Sequence, residues 1–252
     1  MQKYFPSMLD RPETPQIIGS LFYSIIAFFS LPFILLLFMQ GSFSDPLVTS
    51  IIEIIYHVIN CVVAVSIFRT YLVDSFLNVQ ADTKLFWSTV EICVAAMFIY
   101  FYGAGALLHS DTDSLLNVAA LGTLPLAEME LFTFSGSLNG MNPIFGTICM
   151  VFVVPFATSC LYYATVFAPV CTRKPWLAYI LMAVFLAFPR FCNGMTYWNP
   201  AEEVVLYLTQ LPLHLLSCWA YQRTDTIWTP IAAHAIVNAI VCGLNLLAMM
   251  RL

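Results

Sequence analysis

The residues with the clearest chemical potential lie in the last apolar segment, which reads Asp-Thr-Ile-Trp-Thr-Pro-Ile-Ala-Ala-His-Ala-Ile-Val-Asn from Asp225 to Asn238. On a helix, His234 and Asn238 share one face, one turn apart. A histidine can act as a general base, and an amide can donate a hydrogen bond to developing negative charge. Because polar groups are costly in hydrocarbon, we expect this pair to face the interior of a helix bundle and to have a function there.

A second candidate group consists of three consecutive small polar residues, Thr158, Ser159 and Cys160, within another apolar segment. Ser159 could pair with His234 as nucleophile and base, and Cys160 is a further candidate nucleophile. Serine in membrane helices more often packs against a neighbour or bonds to the backbone, which is the alternative interpretation of Ser159.

Acidic residues elsewhere could supply a carboxylate to such a site. Glu53 and His57 form an i, i+4 pair, with Asn60 less than a turn further on, and this group is as consistent with structure as with function. Glu53 or Glu91 could in principle reach His234.

The remaining acids and histidines have simpler interpretations. Glu202 and Glu203 follow Asn199 and Pro200, so they are typical of a helix start, where acids complement the helix dipole. Glu128 and Glu130, in the segment 110–142, are interpreted as solvated carboxylates at the membrane interface. His214 is interpreted as a core histidine, with a pocket residue as the alternative.

Composition restricts the chain to one class of protein. Of its 252 residues, 61% are apolar and 9% charged, and the mean hydropathy is +0.86. A soluble domain carries about a quarter charged residues, so we expect an integral membrane protein surrounded by the lipid bilayer. Without a basic stripe, nucleic acid is not an expected partner. The eight cysteines show no zinc-type spacing, and we expect neither a metal nor a cofactor.

Seven apolar runs approach or reach the 20 residues or so that a membrane helix needs. The predicted helices cover 17–39, 47–68, 85–108, 143–169, 175–192, 202–221 and 226–249. The segment 110–142 carries four acids and is interrupted by Gly122 and Pro125, so we expect an interfacial or re-entrant segment there. If it crosses instead, the bundle has eight membrane helices. The predicted fold is an all-α, polytopic transmembrane bundle forming one integral membrane domain.

The distribution of basic residues predicts the orientation. If the N-terminus is cytoplasmic and 110–142 does not cross, seven basic residues lie inside and two outside; if the segment crosses, the count is six against three. We therefore expect a multi-pass protein of the cell membrane with a cytoplasmic N-terminus and seven helices. The inside set is Lys3, Arg11, Arg69, Lys84, Arg173, Lys174 and Arg223, and the outside set is Arg190 and Arg251.

The segment ending in His234 and Asn238 resembles the last motif of the CPBP family, the CAAX-protease and bacteriocin-processing (Abi) membrane proteins. That motif is a Gly/Asp-Ser/Thr-Ile-Trp entry followed by His-x-x-x-Asn. The family's first motif, Pro-x-x-Glu-Glu-x-x-Phe-Arg, aligns with 155–163, where the proline is kept, an aromatic residue stands at the Phe position, and the two glutamates and the arginine are replaced. Its middle motif, Phe-x-x-x-His, aligns with 185–189. In this sequence Thr158 and Ser159 replace the glutamates, Tyr163 replaces the arginine and Pro189 replaces the histidine, while Phe185 matches the phenylalanine of the middle motif.

The resemblance implies a four-helix core at 143–252 that carries a pocket, preceded by membrane helices and an interfacial segment at 1–142. In the family, the paired glutamates and two histidines are thought to activate water for peptide hydrolysis, and the asparagine helps to hold the oxyanion. His234 and Asn238 are therefore the candidate catalytic residues. Thr158, Ser159, Tyr163, Phe185 and Pro189 are the candidate pocket-lining residues.

Three functions remain open at this stage. We favour a degenerate protease site, a pseudoenzyme that binds a membrane protein or peptide as a scaffold or bacteriocin-immunity protein. The alternative is an active intramembrane endopeptidase of the CAAX prenyl protease type that uses His234 with residues outside the family's set. A transporter is the lesser alternative, because only the membrane acids suggest it and paired broken helices are missing.

Overall fold

The chain is described here by a computed structural model covering residues 12–40, 46–108, 147–171, 173–197 and 200–249. These ranges hold seven helices and no strand, which confirms the predicted all-α bundle. Segment 110–142, and with it the question of an eighth membrane helix, lies outside the described residues. The helices are α1 (Thr14–Gln40), α2 (Pro46–Ala81), α3 (Thr83–Leu108), α4 (Cys149–Cys171), α5 (Pro175–Tyr197), α6 (Pro200–Thr224) and α7 (Trp228–Met249).

Among the described residues, three stretches are long and apolar enough to cross a membrane. They are Ile54–Ala81, Thr83–Tyr100 and Cys149–Cys171, and two shorter apolar helices occur at Thr14–Ala27 and Pro175–Ala187. Large apolar side chains are exposed on the outer faces, Phe22 and Ile99 among them. A bilayer is the environment that makes such surfaces favourable, in agreement with the composition.

Helix α2 is longer than the predicted span 47–68. It continues to Ala81 across a kink at Phe68, whose φ of −105° and ψ of 15° depart from helical values. The hydropathy of the sequence falls after Phe68 because Arg69 and Asp74 follow. Phe68 itself is fully buried, so the helix persists beyond the apolar run because its inner face still packs on the bundle.

Helix α4 is the central helix of the bundle. In its span 67% of residues are buried, against 33% in that of α2 and 28% in that of α3. It is also irregular, because two π-helical stretches, Cys149–Val153 and Cys160–Phe167, flank a short α-helical stretch, Val154–Ser159. Such wide turns within an α-helix often occur at functional sites, and here the second one begins inside the altered first motif, 155–163.

Polar contacts attach α1 to its neighbours. Ser20 Oγ lies 2.6 Å from Thr165 Oγ1 of α4, and the Tyr23 hydroxyl donates a hydrogen bond to the Asn60 side chain of α2. Hydrogen bonds of this kind hold helices together where lipid provides no hydrophobic drive. Asn60 therefore has a structural partner. His57 of the same predicted group is buried, and the Glu53 side chain lies outside the described residues.

Candidate functional site

The turn between α6 and α7, which begins the last motif, contains a left-handed residue. Asp225 has a φ of 51°, a conformation that glycine adopts freely and that aspartate tolerates better than most residues. The backbone geometry thus explains why either Gly or Asp suits this place in the motif. The Asp225 carbonyl accepts a hydrogen bond of 2.9 Å from Asn78 Nδ2 of α2.

The start of α7 is further fixed to α2 by Ser75 and Leu72. Ser75 Oγ lies 2.9 Å from Thr226 Oγ1 and accepts a 3.0 Å hydrogen bond from the Ile227 backbone N–H. The indole Nε1 of Trp228 donates a 3.0 Å bond to the Leu72 carbonyl. These contacts set the height of α7, and therefore the depth at which His234 and Asn238 enter the bundle.

His234 lies in the interior, with 2% of its surface exposed. Its neighbours on α7, Ala233 and Val237, pack in apolar clusters formed with α3, α4 and α6. Leu213 of α6 packs in the same apolar cluster as Val237, and its neighbour His214 is also buried. The expected interior position of His234 is therefore observed, and a second buried histidine lies on the adjacent helix α6.

Asn238 is also buried, and its amide group has a backbone partner. Nδ2 donates a 2.7 Å hydrogen bond to the carbonyl oxygen of Met150. Met150 lies in the first π-helical stretch of α4, where the wider turn changes the backbone pairing. Asn238 thus ties α7 to α4, and it would have to leave Met150 before that N–H could hold an oxyanion.

Replacing Asn238 by leucine, which is similar in size but cannot donate, should destabilise the bundle. We expect a loss of about 1–2 kcal/mol in the free energy of unfolding, because the Met150 carbonyl loses its side-chain donor within the bundle. Unfolding in mixed detergent micelles measures this loss. Ile240→Leu, at an exposed position of the same helix, is the control and should change stability by less than about 0.5 kcal/mol. An equally stable Asn238→Leu protein would contradict the structural role.

The hydroxyls at the positions of the family's glutamates behave differently from each other. Thr158 Oγ1 donates a 2.7 Å hydrogen bond to the Val154 carbonyl of its own helix. Ser159 Oγ is buried without a hydrogen-bond partner among the described residues. A Ser159–His234 hydrogen bond is therefore not formed in this structure. The neighbouring thiol, Cys160, is fully buried in the main core.

Tyr163 and Phe185 contribute to the surroundings of His214. The Tyr163 hydroxyl lies 3.0 Å from His214 Nδ1, and the Tyr162 ring meets the same imidazole edge-on at 5.8 Å. Phe185 of α5 packs edge-on against Tyr162, also at 5.8 Å. Two of the candidate pocket residues thus belong to one aromatic cluster around a histidine. Pro189 lies in α5, but its side chain is outside the described residues.

Sequence reasoning considered His214 but did not predict its partner in this region. Its interpretation as a core histidine captures its burial but not its hydrogen bond with Tyr163. A signal was present, because Gln210, His214, Ser217 and Tyr221 recur at helical spacing on one face of α6. A polar stripe on a membrane helix indicates a face turned towards other protein groups.

The described structure offers His234 no support from Glu91. That side chain is exposed on α3, whereas Val90 and Cys93 of the same helix pack in the cluster with Ala233. The side chains of Glu202 and Glu203, and the whole of Glu128 and Glu130, lie outside the described residues. Within the described ranges no three His, Cys, Asp or Glu side chains form a group suited to a metal ion.

Apolar helices around buried histidine, tyrosine, hydroxyl and amide groups define a helical membrane protein with a polar centre. Residues 140–240 match the family model Rce1-like, described as type II CAAX prenyl endopeptidase Rce1-like. This match confirms the resemblance to the CPBP family, and it takes in α4, α5, α6 and the part of α7 with His234 and Asn238. Neither the curated proteins nor the solved structures contain a match to this chain.

Proposed function

We propose that this protein is a CPBP-like membrane protein whose protease site has degenerated, and that it binds a membrane-embedded peptide or protein without cleaving it. The observation that carries the proposal is the 2.7 Å hydrogen bond from Asn238 Nδ2 to the Met150 carbonyl. Hydrolysis of a peptide bond needs a donor aimed at the developing oxyanion. One of the two N–H groups of the amide in the family's oxyanion position is instead used to join two helices.

The residues at the glutamate positions support the same proposal. A general base must accept a proton near the operating pH, which a carboxylate or an imidazole can do and an alcohol cannot. Thr158 directs its hydroxyl to its own backbone, and Ser159 is enclosed in the core. At these two positions the side chains of α4 therefore supply packing and a backbone hydrogen bond in place of carboxylates.

The setting that we propose is a multi-pass protein of the cell membrane with its N-terminus in the cytoplasm. The partner would be a membrane protein or a peptide, and the role that of a scaffold or of a bacteriocin-immunity protein. A pseudoenzyme of this kind keeps the family's groove for a chain in the membrane and loses the chemistry. The degenerate motif positions within a matched family region support this function.

An active endopeptidase is the second candidate, and one observation favours it. His214 and His234 are both buried, on the adjacent helices α6 and α7, so the bundle holds two interior imidazoles although the family's middle histidine position is Pro189. One imidazole could accept a proton while the other donates. The enzyme would then use residues outside the family's set.

A peptidase assay in liposomes tests the proposed function. Prenylated CAAX peptides and leader-bearing peptides are offered to wild-type protein and to His234→Ala, with an active CAAX prenyl endopeptidase in parallel liposomes as positive control. We expect no cleavage by either protein above empty liposomes, together with peptide retained on wild-type liposomes in a flotation assay. Cleavage by the wild type that disappears in His234→Ala would instead establish the endopeptidase.

A further inference from the structure

The imidazole of His214 is held by two consecutive residues of α4. Tyr163 meets Nδ1 with its hydroxyl at 3.0 Å, and Tyr162 meets the ring edge-on at 5.8 Å with an interplanar angle of 70°. Both tyrosines lie in the second π-helical stretch, Cys160–Phe167. A π-helix has more residues per turn than an α-helix, so adjacent side chains diverge less and can both face one neighbour.

The chemistry of the two groups assigns the direction of this hydrogen bond. A phenol O–H is more acidic than the N–H of a neutral imidazole, so the Tyr163 hydroxyl donates and His214 Nδ1 accepts. The proton of the neutral ring then sits on Nε2, because the bond made by one ring nitrogen decides the state of the other. The hydrogen bond therefore fixes both the plane and the tautomer of His214.

Leu213, the residue before His214, packs in one apolar cluster with Val237 of α7, so α6 and α7 face each other at this depth. We propose that His214 supplies the second imidazole of the site around His234, and that Tyr163 is the positioning residue that holds His214 as the Nε2–H tautomer. The family's position for a second histidine is Pro189, which has no ring nitrogen for this purpose. An Nε2–H group recognises an acceptor oxygen, and a peptide chain offers such oxygens in its carbonyl groups and terminal carboxylate. This assignment of the ligand chemistry rests on the proposed function as a peptide-binding protein.

Histidine ¹⁵N NMR in detergent micelles tests the positioning role without any ligand. The chain has four histidines, and His214→Gln assigns the signal of His214 by its loss. We expect His214 as the Nε2–H tautomer in the wild type and a mixture of tautomers in Tyr163→Phe. Tyr162→Phe is the matched control and should leave the tautomer unchanged, because that residue meets His214 through its ring. An Nδ1–H tautomer in the wild type, or an unchanged signal in Tyr163→Phe, would overturn the inference.

Peptide binding to the same variants tests whether His214 belongs to the site. We expect affinity for a prenylated or leader-bearing peptide to fall about tenfold in His214→Gln and about threefold in Tyr163→Phe, with less than a twofold change in Tyr162→Phe. Equal affinity of wild type and His214→Gln would overturn this part. If the wild type binds no peptide at all, the proposed function fails, and the ¹⁵N NMR spectrum of His234→Gln then tests the imidazole pair. A shift of the His214 signals in that variant supports the pair, and unchanged signals overturn it.

Discussion

Replacing Ser159 by glutamate, one of the two acids that the CPBP motif carries, should destabilise the bundle and should not create a protease. Ser159 is 1% exposed, and its hydroxyl has no hydrogen-bond partner among the described residues. A carboxylate there would lose its hydration without gaining a partner, and its greater length would strain a packed interior. We expect a loss of about 3 kcal/mol or more in the free energy of unfolding, measured in mixed detergent micelles.

Ser159→Ala is the matched control for this substitution. Removing a buried hydroxyl that makes no hydrogen bond should leave stability within about 0.5 kcal/mol of the wild type, or raise it slightly. The contrast between the two variants separates the cost of the carboxylate from the loss of serine. A Ser159→Glu protein as stable as the wild type would show that the bundle still has room and partners for the acid, which would strengthen the endopeptidase alternative.

Hydropathy was sufficient to predict the helices because the bilayer imposes the same requirement on each of them. Five of the seven predicted spans fall entirely within observed helices, and α5 begins at Pro175 as expected. The span 226–249 begins two residues before α7, and the first residues of the span 143–169 lie outside the described part of the chain. The ends are less accurate. The apolar run of α2 stops at residue 68 while the helix continues to Ala81, because hydropathy reports contact with lipid and helical backbone bonding does not depend on it.

The burial of His234 and Asn238 could also be predicted, since a polar pair on one face of an apolar helix has to turn inwards. The hydrogen-bond partners of these residues could not be predicted from the sequence. The bond from Asn238 to Met150 depends on a π-helical stretch, and no residue pattern in an apolar segment indicates where a helix widens. The apposition of His214 and Tyr163 likewise depends on the rotation of α6 against α4.

The role of α2 in the site is a further feature that the sequence did not reveal. Ser75 and Asn78 lie about 150 residues before the turn that they hold, and they have no counterpart among the motifs. Hydrogen bonds between distant segments depend on the packing of whole helices, which a single sequence does not specify. The matched range 140–240 therefore carries the motif residues, while a helix outside it sets the height of His234.

Replacing Phe167 by alanine should produce the second large effect, because this side chain joins α4 to α5 and α6. Its ring meets Tyr179 at 5.1 Å and Tyr221 at 5.6 Å, edge-on in both cases. In a soluble core such a truncation costs about 3–5 kcal/mol. Lipid tails are as apolar as the core, so the transfer contribution is lost and packing alone remains. We therefore expect the free energy of unfolding in mixed micelles to fall by about 2–3 kcal/mol.

Phe152→Ala provides the control from the same helix. Phe152 lies in the first π-helical stretch and is 65% exposed, whereas Phe167 lies in the second and is fully buried. We expect less than about 0.5 kcal/mol of change for Phe152→Ala, because lipid replaces its contacts. Similar losses in both variants would mean that α4 is not the central helix. A selective loss at Phe167 would support the central position of α4 between α5 and α6, which is the packing that brings Tyr163 to His214.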